Sequence, residues 1–194
     1  MSDATAAEAQ RRRFREVIGR FATGVTVVTT TGPAGLTTNA VASLSLEPVL
    51  LLACFDAASR TLGAVRASGR FAVNVLAAGQ DDIARRFATK SEDKFAGVPH
   101  AERHGVPVLD DALAWLACEV RALHSGGDHV IGVGEVVAMD DRPGDPLLFL
   151  GGRYAEIAAA RQGPEATEMG PAQRAVEGGP PQVGPLTPPS PRAG

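Results

Sequence analysis

Among its 194 residues the chain has two cysteines, one tryptophan and one tyrosine, and aromatics make up only 5%. Cys54 and Cys118 lie far apart, each inside an apolar strand-like run. That favours two buried thiols in a reducing cytoplasm over a disulfide. CxxC is absent, and "HAERH" (His100 to His104) is not the HExxH zinc pattern. Pro99, Gly105 and Pro107 around it disfavour the helix that two such ligands would need, so no metal is expected. No apolar run approaches the length of a membrane span. The N-terminal "MSDATAAEAQRRRFREV" lacks the apolar stretch of a secretory signal, which leaves a cytoplasmic protein as the expectation. There is no basic excess either: the net charge is -3, which argues against nucleic acid as the main partner. Neither GxSxG nor a GxGxxG following a strand occurs, so a serine hydrolase and a doubly wound dinucleotide fold are both disfavoured.

Proline and glycine, by contrast, are plentiful and unevenly spread. Residues 162–194 contain eight Pro and six Gly with few sizeable apolar groups. Such a segment cannot offset its ordering entropy by burial. The chain therefore divides into a flexible lead over 1–10, one folded domain over 11–160 and a disordered tail over 161–194.

Within the domain, Phe14, Val17, Ile18 and Phe21 have helical spacing, with Gly24 as a stop, and read as an amphipathic helix packed over a sheet. "GPAG" is a turn signal, so residues 25–46 read as a hairpin. Val49–Phe55 reads as a third strand, buried on both faces. "SRTLGAVRASGRF" offers a short helix with Ser59 as N-cap and Gly69 past its end. "RFAVNVL" is a strand, and "GQDDIARRFA" a second short helix with acids first and arginines last. Residues 88–112 read as loop-rich. "LAWLACEVRALH" and "HVIGVGEVVAM" are long strands joined through "SGGD", and "PLLFLGGRYAEI" closes the domain. Gly132-Val133-Gly134 lies inside a strand, where close packing or a bulge explains it better than a phosphate loop. Six or seven strands with short helices between them predict a mainly β (α+β) fold, an antiparallel barrel.

The stretch "LTTNAVASLSLEPVLLLACF" poses a question. Thr37, Thr38, Asn39, Ser43 and Ser45 precede a core strand with no charge before Glu47, as though an enclosed polar group were to be bound there. Ser59, Arg60 and Thr61 begin the helix after that core strand. Backbone N–H groups, two hydroxyls and a guanidinium make a phosphate cradle there, although an N-cap with a solvated Arg is the plainer reading. Together the two features suit a flat heterocycle carrying a phosphate, such as a flavin nucleotide. His129 opens its strand after a Gly-Gly-Asp turn, where it can lean over a pocket or simply be capped by Asp128. Arg153 and Tyr154 follow a Gly pair. Lys90, Lys94 and Phe95 suggest a mobile flap or a solvated loop.

"FATGVTVVTT", "GLTTNAVASLSLEP", "SRTLGAVRASGRFAVNVLAAGQ", "RFATKSEDKFAG", "GGDHVIGVGEVV" and "PLLFLGGRY" follow one another in this order over residues 14–155. In this the chain resembles the flavin reductase family that supplies reduced flavin to two-component monooxygenases. The resemblance implies an FMN-binding split barrel, usually a homodimer, that reduces FMN or FAD with NADH or NADPH. It implies Thr37, Thr38, Asn39, Ala40 and Ser45 at the isoalloxazine and ribityl chain. Cys54, Phe55 and Asp56 would flank the ring, and Ser59 and Arg60 would hold phosphate. Arg86 and Phe87 would reach the same flavin. His129, the implied catalytic residue, would meet the nicotinamide nucleotide with Gly152, Arg153 and Tyr154. Ala57 and Ala58 depart from the family pattern, which often has a basic or bulkier residue there. The implied partner is a flavin-dependent monooxygenase reached by diffusing reduced flavin. The alternative is a split-barrel protein with permanently bound flavin, acting as a redox carrier or sensor or reducing another substrate directly.

Overall fold

A computed structural model describes residues 3–158; the Pro-rich segment expected over 161–194 lies outside them. In chain order the elements are α1 (Asp3–Ile18), β1 (Thr23–Gly24), β2 (Thr26–Thr30), β3 (Ala34–Thr38), β4 (Val41–Leu46), β5 (Val49–Asp56), α2 (Arg60–Ser68) and β6 (Arg70–Val75). Then come α3 (Asp81–Ala88), β7 (His100–Arg103), β8 (Val106–Leu109), β9 (Ala114–Gly126), β10 (His129–Asp141), β11 (Leu148–Leu150) and β12 (Arg153–Ala155). The main sheet has seven antiparallel strands in the order β3-β2-β6-β9-β10-β5-β4. A smaller sheet pairs β1, β11 and β12, and β7 pairs β8.

The sheet order breaks the hairpin expected over 25–46. β2 and β3 do form it around "GPAG", but the chain then moves from one edge strand, β3, to the other, β4. In a flat sheet those edges would stand roughly 29 Å apart, six spacings of about 4.8 Å. Three residue steps from Thr38 to Val41 span at most about 11 Å. The sheet must therefore curl until its edges meet, and Cys54 N on β5 donates to Ala40 O at 2.9 Å across the junction. β3 touches β5, yet no ladder joins β3 to β4, so the curled sheet is not a closed barrel.

Burial differs from the sequence reading in several places. The strand buried on both faces is β2, all five of whose residues are buried, not β5. Val28 enters the core beneath α2 with Phe55, Leu62, Val65 and Phe71, while Val27 enters a second core with Phe87, Phe95, Leu109 and Leu147. β5 alternates instead: Leu51, Ala53 and Phe55 are buried, and Leu50, Leu52 and Cys54 are half-buried. β4, read as nearly enclosed, is an edge strand with Ala42, Ser43 and Leu44 exposed. α1 starts at Asp3, within the stretch expected to be flexible, and ends at Ile18, five residues short of the expected stop region near Gly24. Gly19 N still closes on Arg15 O at 2.9 Å before the chain turns away. Its apolar side is not packed over a sheet: Phe14 and Val17 are 66% and 54% exposed. The loop-rich 88–112 contains the β7–β8 hairpin, turned through His104 and Gly105 at positive φ. The last strand is itself a hairpin, β11–β12, around Gly151-Gly152.

The GxG reading agrees with the structure. Gly132 and Gly134 face inward on β10, and Phe55 and Phe71 fill the space their missing side chains leave. The β9–β10 register also shifts between Val133 and Gly134, a bulge. Asn74, wholly buried on β6, is satisfied within the fold. Its Nδ2 donates to Val27 O and Thr29 Oγ1, each at 3.0 Å, and its Oδ1 accepts from Leu109 N at 2.9 Å.

Candidate functional site

β5 runs out of the sheet at Asp56 and turns into α2. Asp56 Oδ1 accepts from Ala58 N at 2.7 Å, and Ser59 N donates to Asp56 O at 3.0 Å. Ser59 then caps α2: its backbone is extended (φ -73°, ψ 139°) and its Oγ accepts from Leu62 N at 3.2 Å. Gly69, at φ 68°, ends the helix. The cap satisfies one N–H and leaves other donors of the first turn unpaired within the helix, beside Arg60. That helix start opens onto a cleft of about 590 Å³, within the range of roughly 300–1,000 Å³ typical of small-molecule sites.

One wall of the cleft is the edge strand β3, from Ala34 to Thr37. Another is the end of β5, with Cys54 and Asp56, and the start of β10, with His129. The third is the C-terminal end of α3 and the loop behind it, with Phe87, Lys90 and Lys94. α3 is tied to β3 from both sides. Thr37 Oγ1 donates to Ala84 O at 2.6 Å, and Lys94 Nζ donates to Gly35 O and Phe87 O, each at 2.9 Å. Burial, and then repulsion from Arg60, holds the Lys94 ammonium below the usual lysine range. Gly35 has a packing reason: a Cβ there would stand 2.8 Å from Phe87 Cε1. His129 Nδ1 shares a 2.7 Å hydrogen bond with Asp128 Oδ1, leaving Nε2 as the ring's other polar atom. That hydrogen bond, and then the charge of His129, lowers the Asp128 carboxyl.

Of the residues singled out in the sequence, Thr37, Cys54, Asp56, Ala58, Ser59, Arg60, Thr61, Phe87, Lys90, Lys94 and His129 meet in this one cleft. The remainder are elsewhere. Thr38 Oγ1 accepts from Ala40 N at 3.1 Å, and Asn39 Nδ2 donates to Thr23 Oγ1 at 3.1 Å. Those groups stabilise the crossing from β3 to β4. Ser45 Oγ accepts from Glu47 N at 3.2 Å. Phe55 is turned into the core, edge-on to Phe71 with ring centroids 5.8 Å apart. Arg86 donates to Ala96 O. Gly152, Arg153 and Tyr154 line a different hollow of about 670 Å³, with Asp81 from the first turn of α3 and Arg85 from its last. There Arg85 lies over the Tyr154 ring, 5.0 Å from its centroid. Lys94 is the wall residue whose part the sequence least disclosed, because one of its two partners is a carbonyl of β3, Gly35 O, 59 positions away. The closeness of Lys90 and Lys94 to α3 was the available signal.

The family profile for "Flavin reductase like domain" matches residues 18–158. The reductase subunit HsaB of a flavin-dependent monooxygenase from Mycobacterium tuberculosis is 41% identical over 165 residues, covering 81% of this chain and 88% of the relative. Among solved structures, nitrilotriacetate monooxygenase component B from Mycobacterium thermoresistibile superposes with a TM-score of 0.78 at 39% identity, covering 81% of this chain and 92% of that one. The NADH:FAD oxidoreductase SgcE6 of Streptomyces globisporus, in complex with NAD and FAD fragments, does so with a TM-score of 0.76 at 40% identity, covering 79% and 96%. The chain belongs to the flavin reductase like domain family.

Proposed function

We propose that this protein is an NADH-dependent flavin reductase that reduces FMN or FAD in the cleft beside α2 and releases it to a partner monooxygenase. One observation carries the assignment of the site. A helix start with an Arg on its first turn opens into the same cleft as an edge strand and an Asp-oriented His. The donor set suits a flavin nucleotide. Arg60 and the first-turn N–H groups of α2 fit an anion, and Lys90 and Lys94 add positive charge. The cleft wall formed by β3 presents an unpaired strand edge to a planar ring.

A flavin held there would supply the redox chemistry as the acceptor of a hydride from a nicotinamide. The protein's part is placement. Ser59 fixes the start of α2, and so the position of Arg60 and the phosphate; Lys94 and Thr37 hold α3 against β3, which sets the width of the cleft. Asp128 orients His129 at the start of β10 toward the incoming nicotinamide. The structure gives Thr37 no spare donor role, since its hydroxyl proton goes to Ala84 O. We assign neither Asn39 nor Ser45 to the ring.

We propose a homodimer as well. Leu44, Leu46, Val137 and Met139, on β4 and β10, are 46–68% exposed, and Phe14, Val17, Ile18 and Phe21 form an uncovered stripe. A second copy would remove both from water. Among the described residues no helix is long and apolar enough to cross a membrane.

The deciding experiment is anaerobic mixing of the protein with NADH and FMN, FAD or riboflavin. Flavin bleaching in step with NADH oxidation is expected; no NADH oxidation with any of the three would overturn the assignment. A second expectation concerns the thiols. Burial raises both, Cys118 up to about 12. Cys118 should resist a maleimide until the protein unfolds. Cys54, in the cleft wall, should react slowly, and added FMN should slow it further. Equal labelling with and without FMN, read by mass spectrometry, would place the flavin elsewhere.

A further inference from the structure

The anion site is already engaged by the chain itself. Arg60 Nη1 donates to Glu92 Oε1 at 2.6 Å, and its Nη2 donates to Ser91 O at 3.0 Å and to Lys90 O at 3.3 Å. All four residues line the cleft. The loop bearing Glu92 is shaped by its own side chains. Thr89 Oγ1 donates to Arg86 O at 2.8 Å and accepts from Ser91 N at 3.3 Å, and Ser91 Oγ accepts from Asp93 N at 3.2 Å. Lys94 then pins the far end of the loop to β3 and α3. The result presents a carboxylate to the guanidinium that the proposed reaction needs for a phosphate. Carboxylate and phosphate oxygens ask the same planar fork for the same hydrogen bonds.

We infer that Glu92 and the flavin phosphate compete for Arg60, so that Glu92 sets how loosely a phosphate-bearing flavin is held. This rests on the flavin reading of the cleft. The Arg60 and Glu92 side chains are 58% and 88% exposed, so the ion pair is weak and the phosphate displaces it. A weak pair is still enough to oppose binding, because each flavin that enters must first release the carboxylate. The device suits a reductase whose reduced flavin has to leave, and it acts on the phosphate alone, whatever the ring.

The test is a double-mutant cycle read by flavin fluorescence on the full-length protein. Glu92→Gln should lower the Kd for FMN by about two- to fivefold, the range expected for losing one exposed pair. Riboflavin, which has the same ring but no phosphate, should bind the variant and the parent alike. In an Arg60→Gln background the Glu92→Gln gain should disappear. Three results would overturn the inference: an unchanged FMN Kd in Glu92→Gln, an equal gain for riboflavin, or the same gain without Arg60. Each of these leaves the flavin assignment standing, since it presupposes measurable flavin binding. Absence of binding by the parent to FMN, FAD and riboflavin would overturn the flavin reading and this inference together.

Discussion

Replacing Arg60 by Gln is expected to weaken FMN binding about tenfold and to leave riboflavin almost unaffected. Hydrogen bonds to charged groups contribute roughly 1.5–3 kcal/mol, and the partial exposure of Arg60 puts the effect at the lower end. A loss of about 1.4 kcal/mol corresponds to a factor of ten. Arg60→Lys keeps the charge but not the two-pronged fork, so its affinity should fall between those of the parent and the Gln variant. The α2 cap depends on Ser59, not on the residue after it, so the helix should survive both changes. Titration of intrinsic flavin fluorescence reads the result. Equal losses for FMN and riboflavin would mean that Arg60 supports the ring or the fold, and not the phosphate.

The second large effect concerns stability. Gly134→Ala should destabilise the domain by about 1–3 kcal/mol, as overpacking of a filled core does. A Cβ at Gly134 would stand 2.5 Å from Phe71 Cζ and 2.9 Å from Cys118 Cβ. Neither neighbour can give way easily. Phe71 is fully buried and packed edge-on against Phe55, and Cys118 sits on the paired strand β9. Urea denaturation followed through Trp115, the single tryptophan, should show an earlier midpoint with unchanged slope. In a Phe71→Leu background the same Gly134→Ala change should cost less, because the ring it meets is gone. A Gly134→Ala variant as stable as the parent would remove the packing account of this glycine.

These two sites mark how far the sequence could be read. The Gly132-Val133-Gly134 run was legible as a packing or bulge feature because a glycine inside a strand pattern has few other uses. The start of α2 was legible for the same reason: Ser59 and Gly69 are local signals that act on their near neighbours. The competing contact of Arg60 with Glu92 was not legible, since 32 positions separate the two and no periodicity relates them.

Composition, hydrophobic period, caps and turns by themselves determined a mainly antiparallel β domain with two short helices, and the helix start that faces the cleft. Those properties follow from interactions along a few adjacent residues, which any chain with this order of side chains must satisfy. Only the tertiary structure decided that β3 and β4 part to opposite edges of one curled sheet. The same fold turned Thr38 and Asn39 to holding that crossing instead of lining the cleft. It also made β2, not β5, the strand covered on both sides. Which face of a strand meets water depends on what packs over it from elsewhere in the chain, and that information resides in no single segment.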